Sequence, residues 1–434
     1  MILVYTPRIN NRIRYIFNLI FKDVLGVDVT ITDNVNEFKL YDGVKINYSS
    51  NAFGDEIFFL SKLFLLETGI KDQDITVFDW DGTKAFFPTS RTSTFPFDPF
   101  AASFYLVSRY EEYLPTIHDK HNRFEALESL AFQNNFLHLP LVNIWAEKIK
   151  LKLQVKYHDY HFPTKKFKHI PTIDIDNAFA FREKGFIRTI GASLRSLINL
   201  DFKELLERTK AVLGFQTDPY DTYQFQLDIH KKYGLHPIYF FLFAEYGLND
   251  KNVPTRSQLF RHLIKSIADD ADVGIHPSYN SNFKIEKLEK ELHGLSKVLN
   301  REITKSRQHF LKLTFPETYR NLINLDITDD YTMGYASEVG FRASICNSFN
   351  FYDLDLEIET KLRIHPFQVM DATLNFYLQL TPEESIERIY KIVDEVKQVN
   401  GEFISLWHNE TLADYKFWKD WKKVYELMLA YCNK

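Results

Sequence analysis

The spacing of hydrophobic residues changes along the chain and divides it near residue 160. Beyond 168, short apolar runs alternate with segments whose apolar residues recur every three or four positions, as in IEKLEKELHGLSKVL and PEESIERIYKIVDEVKQV. Short apolar runs predict buried strands, and the longer period predicts amphipathic helices. The expected strands lie at 170–176, 236–243, 272–276, 303–310, 322–328, 362–371 and 402–408.

About seven strands separated by helices predict a parallel α/β architecture. A sheet of this size is expected to close into a barrel. Barrels of this kind carry their reactive residues at the C-terminal ends of the strands. The polar residues that follow each predicted strand are therefore the first place to look for a functional site.

The first part of the chain predicts a separate α/β domain with short strands. A helix is expected over Ile9–Leu25, and Asp98 is placed to cap another helix that ends before Pro115. The proline and charge cluster at 161–169 is interpreted as a linker. The expected domains are 1–160 and 168–434.

Composition narrows the class of protein. Hydrophobic residues make up 45% and charged residues 26%, as in soluble globular proteins. The formal net charge is -5, and no basic block is long enough to follow a phosphate backbone, so nucleic acid is not an expected partner. Cys346 and Cys432 are too few and too distant for a disulfide framework or a zinc-finger spacing.

The apolar run at the N-terminus predicts neither a signal peptide nor a membrane span. It is interrupted by Arg12, Arg14, Lys22 and Asp23, whereas a spanning helix needs about 20 mostly apolar residues. We therefore expect a chain without a membrane span and, by default, a cytoplasmic location.

Reactive side chains follow most of the predicted strands. Because the strands of a parallel barrel end at one rim, residues that are far apart in sequence are expected to meet there. This convergence is the main functional signal in the chain. The residues are Asp174, Asp176, His276, Arg307, His309, Asp329, Asp330 and His408.

Asp174 and Asp176 are two residues apart in TIDID, so along a strand both side chains point the same way. Two close carboxylates repel each other unless a cation or a shared proton lies between them. A divalent metal would let one serve as ligand and the other as base. The alternative is a pair of solvated turn or cap residues.

His276 and His309 could complete such a metal site. A single histidine after a strand is more often structural, but one aspartate with two histidines is a familiar ligand set for zinc and leaves positions open for water. We expect Asp176, His276 and His309 to lie about 2.0–2.2 Å from a common ion.

His408 follows the last predicted strand. Its ordinary pKa of about 6.5 suits a general acid near neutrality, although packing against Trp407 is the alternative. Arg307 and Arg342 could bind a carboxylate or form structural salt bridges. The chain has no GxxxxGK[ST] loop, no GxGxxG turn and no GxSxG elbow, so nucleotide-binding and serine-hydrolase chemistry lack support.

From 168 to the C-terminus the chain resembles the polysaccharide deacetylase (NodB-like) superfamily. Five segments occur in the family's order. They are TIDID, GIHPSYN, RQHFL, DYTMGYA with GFRA, and WHN. The closest resemblance is to a divergent Bacteroidetes-type branch, in which FDPFAASFYLVSRYEEY looks like part of an accessory domain ahead of the deacetylase domain.

The resemblance implies a deformed (β/α)7-type barrel and metal-dependent removal of acetyl groups from a carbohydrate substrate. Asp174 would be the base, His408 the acid, and Asp176 and His276 metal ligands. Asn280 stands where the family has a second histidine, so His309 would supply the missing ligand. Zinc is the expected metal. Arg307, Asp330, Arg342 and Trp407 would contact substrate, and Asp330 could instead orient His408.

Two other functions remain open on the sequence alone. A non-catalytic carbohydrate-binding relative is favoured by Asn280, because incomplete ligation would abolish catalysis. A glycosidase could use Asp174 or Asp176 with Asp330 or Asp371 as paired carboxylates, which would then lie about 5–9 Å apart.

Overall fold

A computed structural model describes all 434 residues, 1–434. Before residue 90 it contains a four-stranded sheet and a short two-stranded hairpin. The four strands are parallel and lie in the order second, first, third, fourth. They are β1 (Ile2–Tyr5), β2 (Val29–Thr32), β3 (Lys45–Ser49) and β4 (Ile57–Leu60), and the hairpin is β5 (Phe78–Trp80) and β6 (Thr83–Ala85).

Five helices accompany these strands, and Asp98 caps the third as expected. Its carboxylate accepts hydrogen bonds from the backbone N–H groups of Phe100 and Ala101 at 3.1 and 2.9 Å. This helix ends at Val107, well before Pro115, because Arg109 takes a left-handed conformation with φ 53°. The helices are α1 (Asn11–Phe17), α2 (Val35–Leu40), α3 (Pro99–Val107), α4 (Leu130–Gln133) and α5 (Leu141–Lys156), and a π-helical turn (Asn18–Val24) extends the first.

The second sheet has nine strands, all of them after residue 167. They are β7 (Lys168–Ile175), β8 (Ile238–Phe241), β9 (Asp272–Ile275), β10 (Lys305–Ser306), β11 (Asp329–Asp330), β12 (Phe349–Asp353), β13 (Ile358–Ile364), β14 (Val369–Met370) and β15 (Glu402–His408). Their order is β12-β13-β11-β10-β9-β8-β7-β15-β14. Only β12 runs antiparallel to its neighbour.

Eight helices follow or separate these strands, which gives the mixed, mostly parallel α/β architecture that the sequence predicts. They are α6 (Phe186–Ile198), α7 (Phe202–Val212), α8 (Tyr223–Lys232), α9 (Gln258–Asp270), α10 (Ile285–Leu299), α11 (Glu317–Asn324), α12 (Pro382–Gln398) and α13 (Trp421–Cys432). No strand pairing joins the β12 and β14 edges, so the expected barrel is matched in its strand–helix alternation but not in closure. None of the helices combines the length and apolar content needed to cross a membrane.

Three predicted strands differ from the observed ones. The segment 322–328 is not a strand: residues 322–324 end α11, residues 325–328 form a turn and an irregular connection, and only the two residues of β11 pair after it. The segment 303–310 contributes only the two residues of β10. The segment 362–371 is divided, because Pro366 separates β13 from β14 and cannot donate a ladder hydrogen bond.

The two sheets share one hydrophobic core. Tyr352 on β12 packs against Tyr15 on α1 and Phe104 on α3, with ring centroids 5.0 and 5.1 Å apart. No strand before the interpreted linker pairs with a strand after it, and β7 already begins at Lys168, inside that linker. The first 160 residues are therefore distinct in sheet topology but continuous in packing.

A buried ionic cluster ties the first part of the chain to the second. The Glu112 carboxylate accepts two hydrogen bonds from the Arg342 guanidinium, at 2.9 and 2.5 Å, and one from Arg109 at 2.7 Å. All three side chains are almost fully buried. Burial raises the pKa of Glu112, but Arg342 and Arg109 outweigh it and hold the pKa below its usual value.

Glu112→Ala should lower the free energy of unfolding by about 3–5 kcal/mol, since the buried Arg342 guanidinium would lose its counter-ion and Arg109 would keep only Glu111. Glu147→Ala removes a partly exposed partner of Lys150 and should cost no more than about 1 kcal/mol. Urea unfolding followed by tryptophan fluorescence measures both. Equal losses in the two variants would show that the buried cluster does not join the halves.

Candidate active site and metal centre

A cleft of about 500 Å³ opens at the C-terminal ends of the central parallel strands. Asp174 is near the end of β7 and pairs in register with His408 at the end of β15. His276 follows β9 directly, and His309 follows β10 by three residues. Because these strands are parallel and adjacent, their ends bring the side chains to one edge of the sheet, as the sequence predicts.

Asp176, His276 and His309 form a compact cluster in this cleft. The Nε2 atom of His276 lies 3.1 Å from Oδ1 of Asp176, and Nε2 of His309 lies 3.5 Å from Oδ2. The three candidate ligand atoms all lie within 4.8 Å of one another. A carboxylate and two imidazoles at this spacing could hold a divalent metal ion.

In both histidines, Nδ1 is hydrogen-bonded to a residue outside the cluster, so Nε2 is free to bind an ion. Nδ1 of His276 donates to the backbone carbonyl of Arg307 at 2.5 Å, and Nδ1 of His309 donates to the Asp250 carboxylate at 2.9 Å. With the protons on Nδ1, each Nε2 can present a lone pair to the cluster, the usual arrangement of a metal-bound histidine. Oδ1 of Asp176 is buried and has no hydrogen-bond partner, which also fits an ion ligand.

The charges of the cluster are strongly coupled. Burial lowers the pKa of His309, but Asp176 and Asp250 outweigh it and raise the pKa to about 9. Burial raises the pKa of Asp176, yet His309 and His276 hold it well below its usual value. An ion bound here must displace the proton on His309, so metal uptake should strengthen as pH rises towards that value.

Asp174 lies beside the cluster but has a different partner. Nη1 of Arg307 donates to Oδ1 of Asp174 at 2.8 Å and to Thr172 at 2.7 Å, and the guanidinium stacks on Phe240. Oδ2 of Asp174 lies 3.8 Å from Nε2 of His276. The fully buried Arg307 cation therefore fixes one oxygen of the Asp174 carboxylate. Asp174 itself still lines the cleft.

His408 is held by Asp371, not by Asp330. Oδ1 of Asp371 accepts from Nδ1 of His408 at 2.7 Å, and Oδ2 accepts from its backbone N–H at 2.7 Å and from the Thr411 hydroxyl. Burial lowers the pKa of His408, but Asp371, with Asp176 and Asp174, raises it well above its usual value. The imidazole is therefore held protonated, with Nε2 3.8 Å from Asp176.

Three residues that were expected to contact substrate do not line the cleft. Trp407 is fully buried: side chains alternate along β15, so it points away from His408 and packs on Tyr425 at 4.8 Å. Asp330 is fully buried and accepts from Ser306 and Thr332. The third is Arg342, held in its ion pair with Glu112. Arg307 is likewise fully buried and reaches the cleft only through Asp174.

Asn280 is exposed and lies outside the metal-ligand cluster. His309 occupies the position of the third candidate ligand, where the family pattern would lead us to expect a histidine at 280. The departure from the family pattern at Asn280 therefore does not leave the cluster with only two ligands.

The sequence did not indicate the roles of four residues at the site, of which only Asp371 was named, as a possible glycosidase carboxylate. Asp371 follows a short strand, as do the residues that were found, so it gave a usable signal. Asp250 lies in a loop and Glu410 in a turn, and neither has a distinctive neighbourhood. Burial raises the pKa of Glu410 to about 7, with Asp176 and Asp371 adding to the effect and His408 opposing it.

The fourth is Arg123, which the first 160 residues contribute to the cleft wall. Its guanidinium donates to the carbonyl of Phe310 at 2.8 Å and to the Tyr377 hydroxyl at 3.2 Å, and it pairs with Asp119. The cleft is therefore built by both parts of the chain. The remaining lining includes Asn177, Leu248, Lys251, Gln308, Met370 and Phe376.

Comparisons with known proteins give partial similarities. Residues 2–158 match a family described as a family of unknown function, DUF7033. No curated protein sequence is a significant match. A putative polysaccharide deacetylase structure from Mycobacterium smegmatis is 12% identical, with a TM-score of 0.40 over 62% of this chain and 85% of its own.

Two further structures are similar over comparable parts of the chain. A CE4 family pseudoenzyme from Bacillus anthracis is 12% identical, with a TM-score of 0.29 over 60% of this chain and 61% of its own. A peptidoglycan deacetylase from Bacillus subtilis is 13% identical, with a TM-score of 0.27 over 61% of this chain and 85% of its own. At these identities and TM-scores the similarities establish neither a family nor an activity.

Asp250→Asn should weaken zinc binding by roughly 10–100-fold, because the amide no longer orients the His309 ring as a carboxylate does. Calorimetric titration of both proteins at the same pH measures this change in affinity. Asp272→Asn is the matched control, since Asp272 pairs with the exposed His236 at the other end of β9. Unchanged affinity in Asp250→Asn would exclude His309 as a ligand.

Proposed function

We propose that the protein is a metal-dependent hydrolase that removes acetyl groups from a carbohydrate. The observation that carries the proposal is the Asp176, His276 and His309 cluster in an open cleft, with Asp174 on one side and His408 on the other. One carboxylate and two imidazoles leave coordination positions free for water and substrate. We assign zinc as the metal.

The ion, when bound, would polarise the acetyl carbonyl and lower the pKa of water. Asp174 is assigned as the base that takes a proton from the attacking water. Arg307 pairs with Oδ1 of this carboxylate and so orients its other oxygen towards the cleft.

His408 is assigned as the acid that protonates the leaving amine or alkoxide. Its raised pKa means that it enters the reaction with a proton to give. Asp371 holds both its ring and its backbone, so Nε2 stays directed towards the cleft. Base and acid thus lie on the adjacent strands β7 and β15, in register with each other.

The two rival functions have less support from the geometry. A paired-carboxylate glycosidase would need Asp330 or Asp371 at the cleft, but both are fully buried and engaged in hydrogen bonds. A purely binding role was favoured by Asn280, and His309 offers the third ligand instead. Acetate release from N- and O-acetylated oligosaccharides, measured with added zinc, tests catalysis directly. No release from any of them would favour the binding role.

Asp174→Asn should reduce turnover by roughly 10²–10⁴-fold and leave the metal content nearly unchanged, because an amide keeps the shape of the side chain but accepts no proton. His276→Ala should reduce both, since it removes a ligand. Elemental analysis beside the acetate assay separates the two effects. Asp272→Asn is the control for an aspartate outside the cleft, and full activity in Asp174→Asn would remove the base assignment.

Asp371→Asn should move the alkaline limb of the pH–rate profile to lower pH. His408 must be protonated to act as an acid, so activity is lost as pH rises through its pKa. The Asp371 carboxylate raises that pKa, and its removal lowers it. Asp330→Asn is the matched control, because Asp330 contacts Ser306 and Thr332 and not His408. An alkaline limb that stays in place in Asp371→Asn would exclude His408 as the acid.

A further inference from the structure

Helices α6 and α7, inserted between β7 and β8, expose an unusual amount of apolar surface. Only Ser196 is buried among the thirteen residues of α6, and only Arg208 and Ala211 among the eleven of α7. The two helices pack against each other. The largest exposed side chains on the two helices and in the segments next to them are 60–86% accessible and include Phe186, Ile187, Ile198, Leu200, Phe202 and Phe215.

The exposed residues of α6 form a stripe and are not scattered. Ile187, Ile190, Leu194 and Leu197 recur at helical spacing, the pattern of a helix face that is normally covered. Soluble monomers rarely expose a contiguous apolar patch of more than a few hundred Å² unless it binds something. This face therefore needs an occupant.

The charges around this face are selectively basic. Residues 182–215 contain seven basic and four acidic residues, in a chain whose net charge is -5. The acidic residues are engaged: Glu204 pairs with Arg208 and Lys416, Glu207 accepts from Tyr415, Glu183 accepts from Ser257, and Asp201 caps α7. The basic side chains of Arg195, Lys203 and Lys210 remain exposed.

The face is continuous with the mouth of the cleft. Arg188 on α6 stacks over the ring of Tyr246 at 4.1 Å and donates to the backbone carbonyls of Lys251 and Asn252. Leu248 in the same loop is 89% exposed and also lines the cleft. Whatever covers the helices is therefore close to the cleft entrance.

We propose that α6, α7 and the loop from Tyr246 to Leu248 form a docking face for an anionic lipid bilayer. Exposed aromatic and aliphatic side chains would enter the headgroup boundary, and the basic side chains would contact lipid phosphates, as in interfacial amphipathic helices. Docking would set the cleft mouth at the bilayer surface. A second copy of the chain fits less well, because a two-fold contact would bring the same basic side chains together.

Sedimentation with vesicles tests the docking face independently of catalysis. The protein should bind vesicles of equal parts phosphatidylcholine and phosphatidylglycerol at least roughly tenfold better than pure phosphatidylcholine, since each exposed basic residue near an anionic surface strengthens binding. Ile187→Ser combined with Ile198→Ser should lower binding by roughly tenfold or more. Lys203→Glu combined with Lys210→Glu should abolish the preference for phosphatidylglycerol.

Leu151→Ser combined with Val155→Ser is the control, because these residues are also mostly exposed but lie on α5. Circular dichroism checks that each variant is folded, and acetate release from a soluble substrate should not change in the isoleucine variant. Failure to bind anionic vesicles, or binding that the isoleucine variant leaves unchanged, would overturn the proposal. So would a dimer in sedimentation equilibrium that the isoleucine variant alone dissociates, since a second copy would then cover the face.

Discussion

The buried contact between the Arg307 guanidinium and the Asp174 carboxylate is the interaction on which the rest of the candidate site depends. The guanidinium lies against the ring of Phe240, where it has almost no access to solvent. Its side chain orients Asp174, while its backbone carbonyl accepts from Nδ1 of His276. One residue directly after β10 thus positions both the candidate base and a candidate ligand from other strands. Removing either charge would leave the other buried and unpaired, which is far more destabilising than losing a surface pair.

The sequence predicted which residues lie at the site better than it predicted their hydrogen-bond partners. Strand-end reasoning needs only the order and direction of the strands, so it brought Asp176, His276 and His309 to one place without knowledge of any loop. It could not predict Asp250, because that carboxylate reaches His309 from a loop whose conformation has no periodic signal. The strand pattern alone argues against a substrate contact at Trp407, since Trp407 and His408 are neighbours on β15 and their side chains cannot both face the cleft. The open sheet edges were not predictable from strand counting.

The chain divides near residue 160 in its strand pairing, but the contacts that stabilise the fold extend across this boundary. Strands do not cross the boundary, whereas the aromatic core and the Glu112–Arg342 pair do. Arg123 extends this coupling into the cleft, where its contacts with Phe310 and Tyr377 add a wall that the second sheet does not supply. Because a charged side chain held by several partners moves little, this wall is part of a rigid binding surface. The first part of the chain thus contributes to the shape of the cleft.

Three histidine side chains line the cleft. Their Nδ1 atoms have different hydrogen-bond partners, and these partners help to indicate the role to which each histidine is suited. His276 donates to a neutral backbone carbonyl, whereas His309 and His408 donate to the carboxylates of Asp250 and Asp371. Burial opposes a charge on either of the last two, yet the surrounding carboxylates raise both pKa values. His309 faces Asp176 at the cluster, where a bound cation would repel its proton and take the lone pair. His408 lies outside the cluster and keeps its proton, which suits an acid. Similar carboxylate partners are thus compatible with opposite proposed roles, and the distance from a bound cation would decide between them.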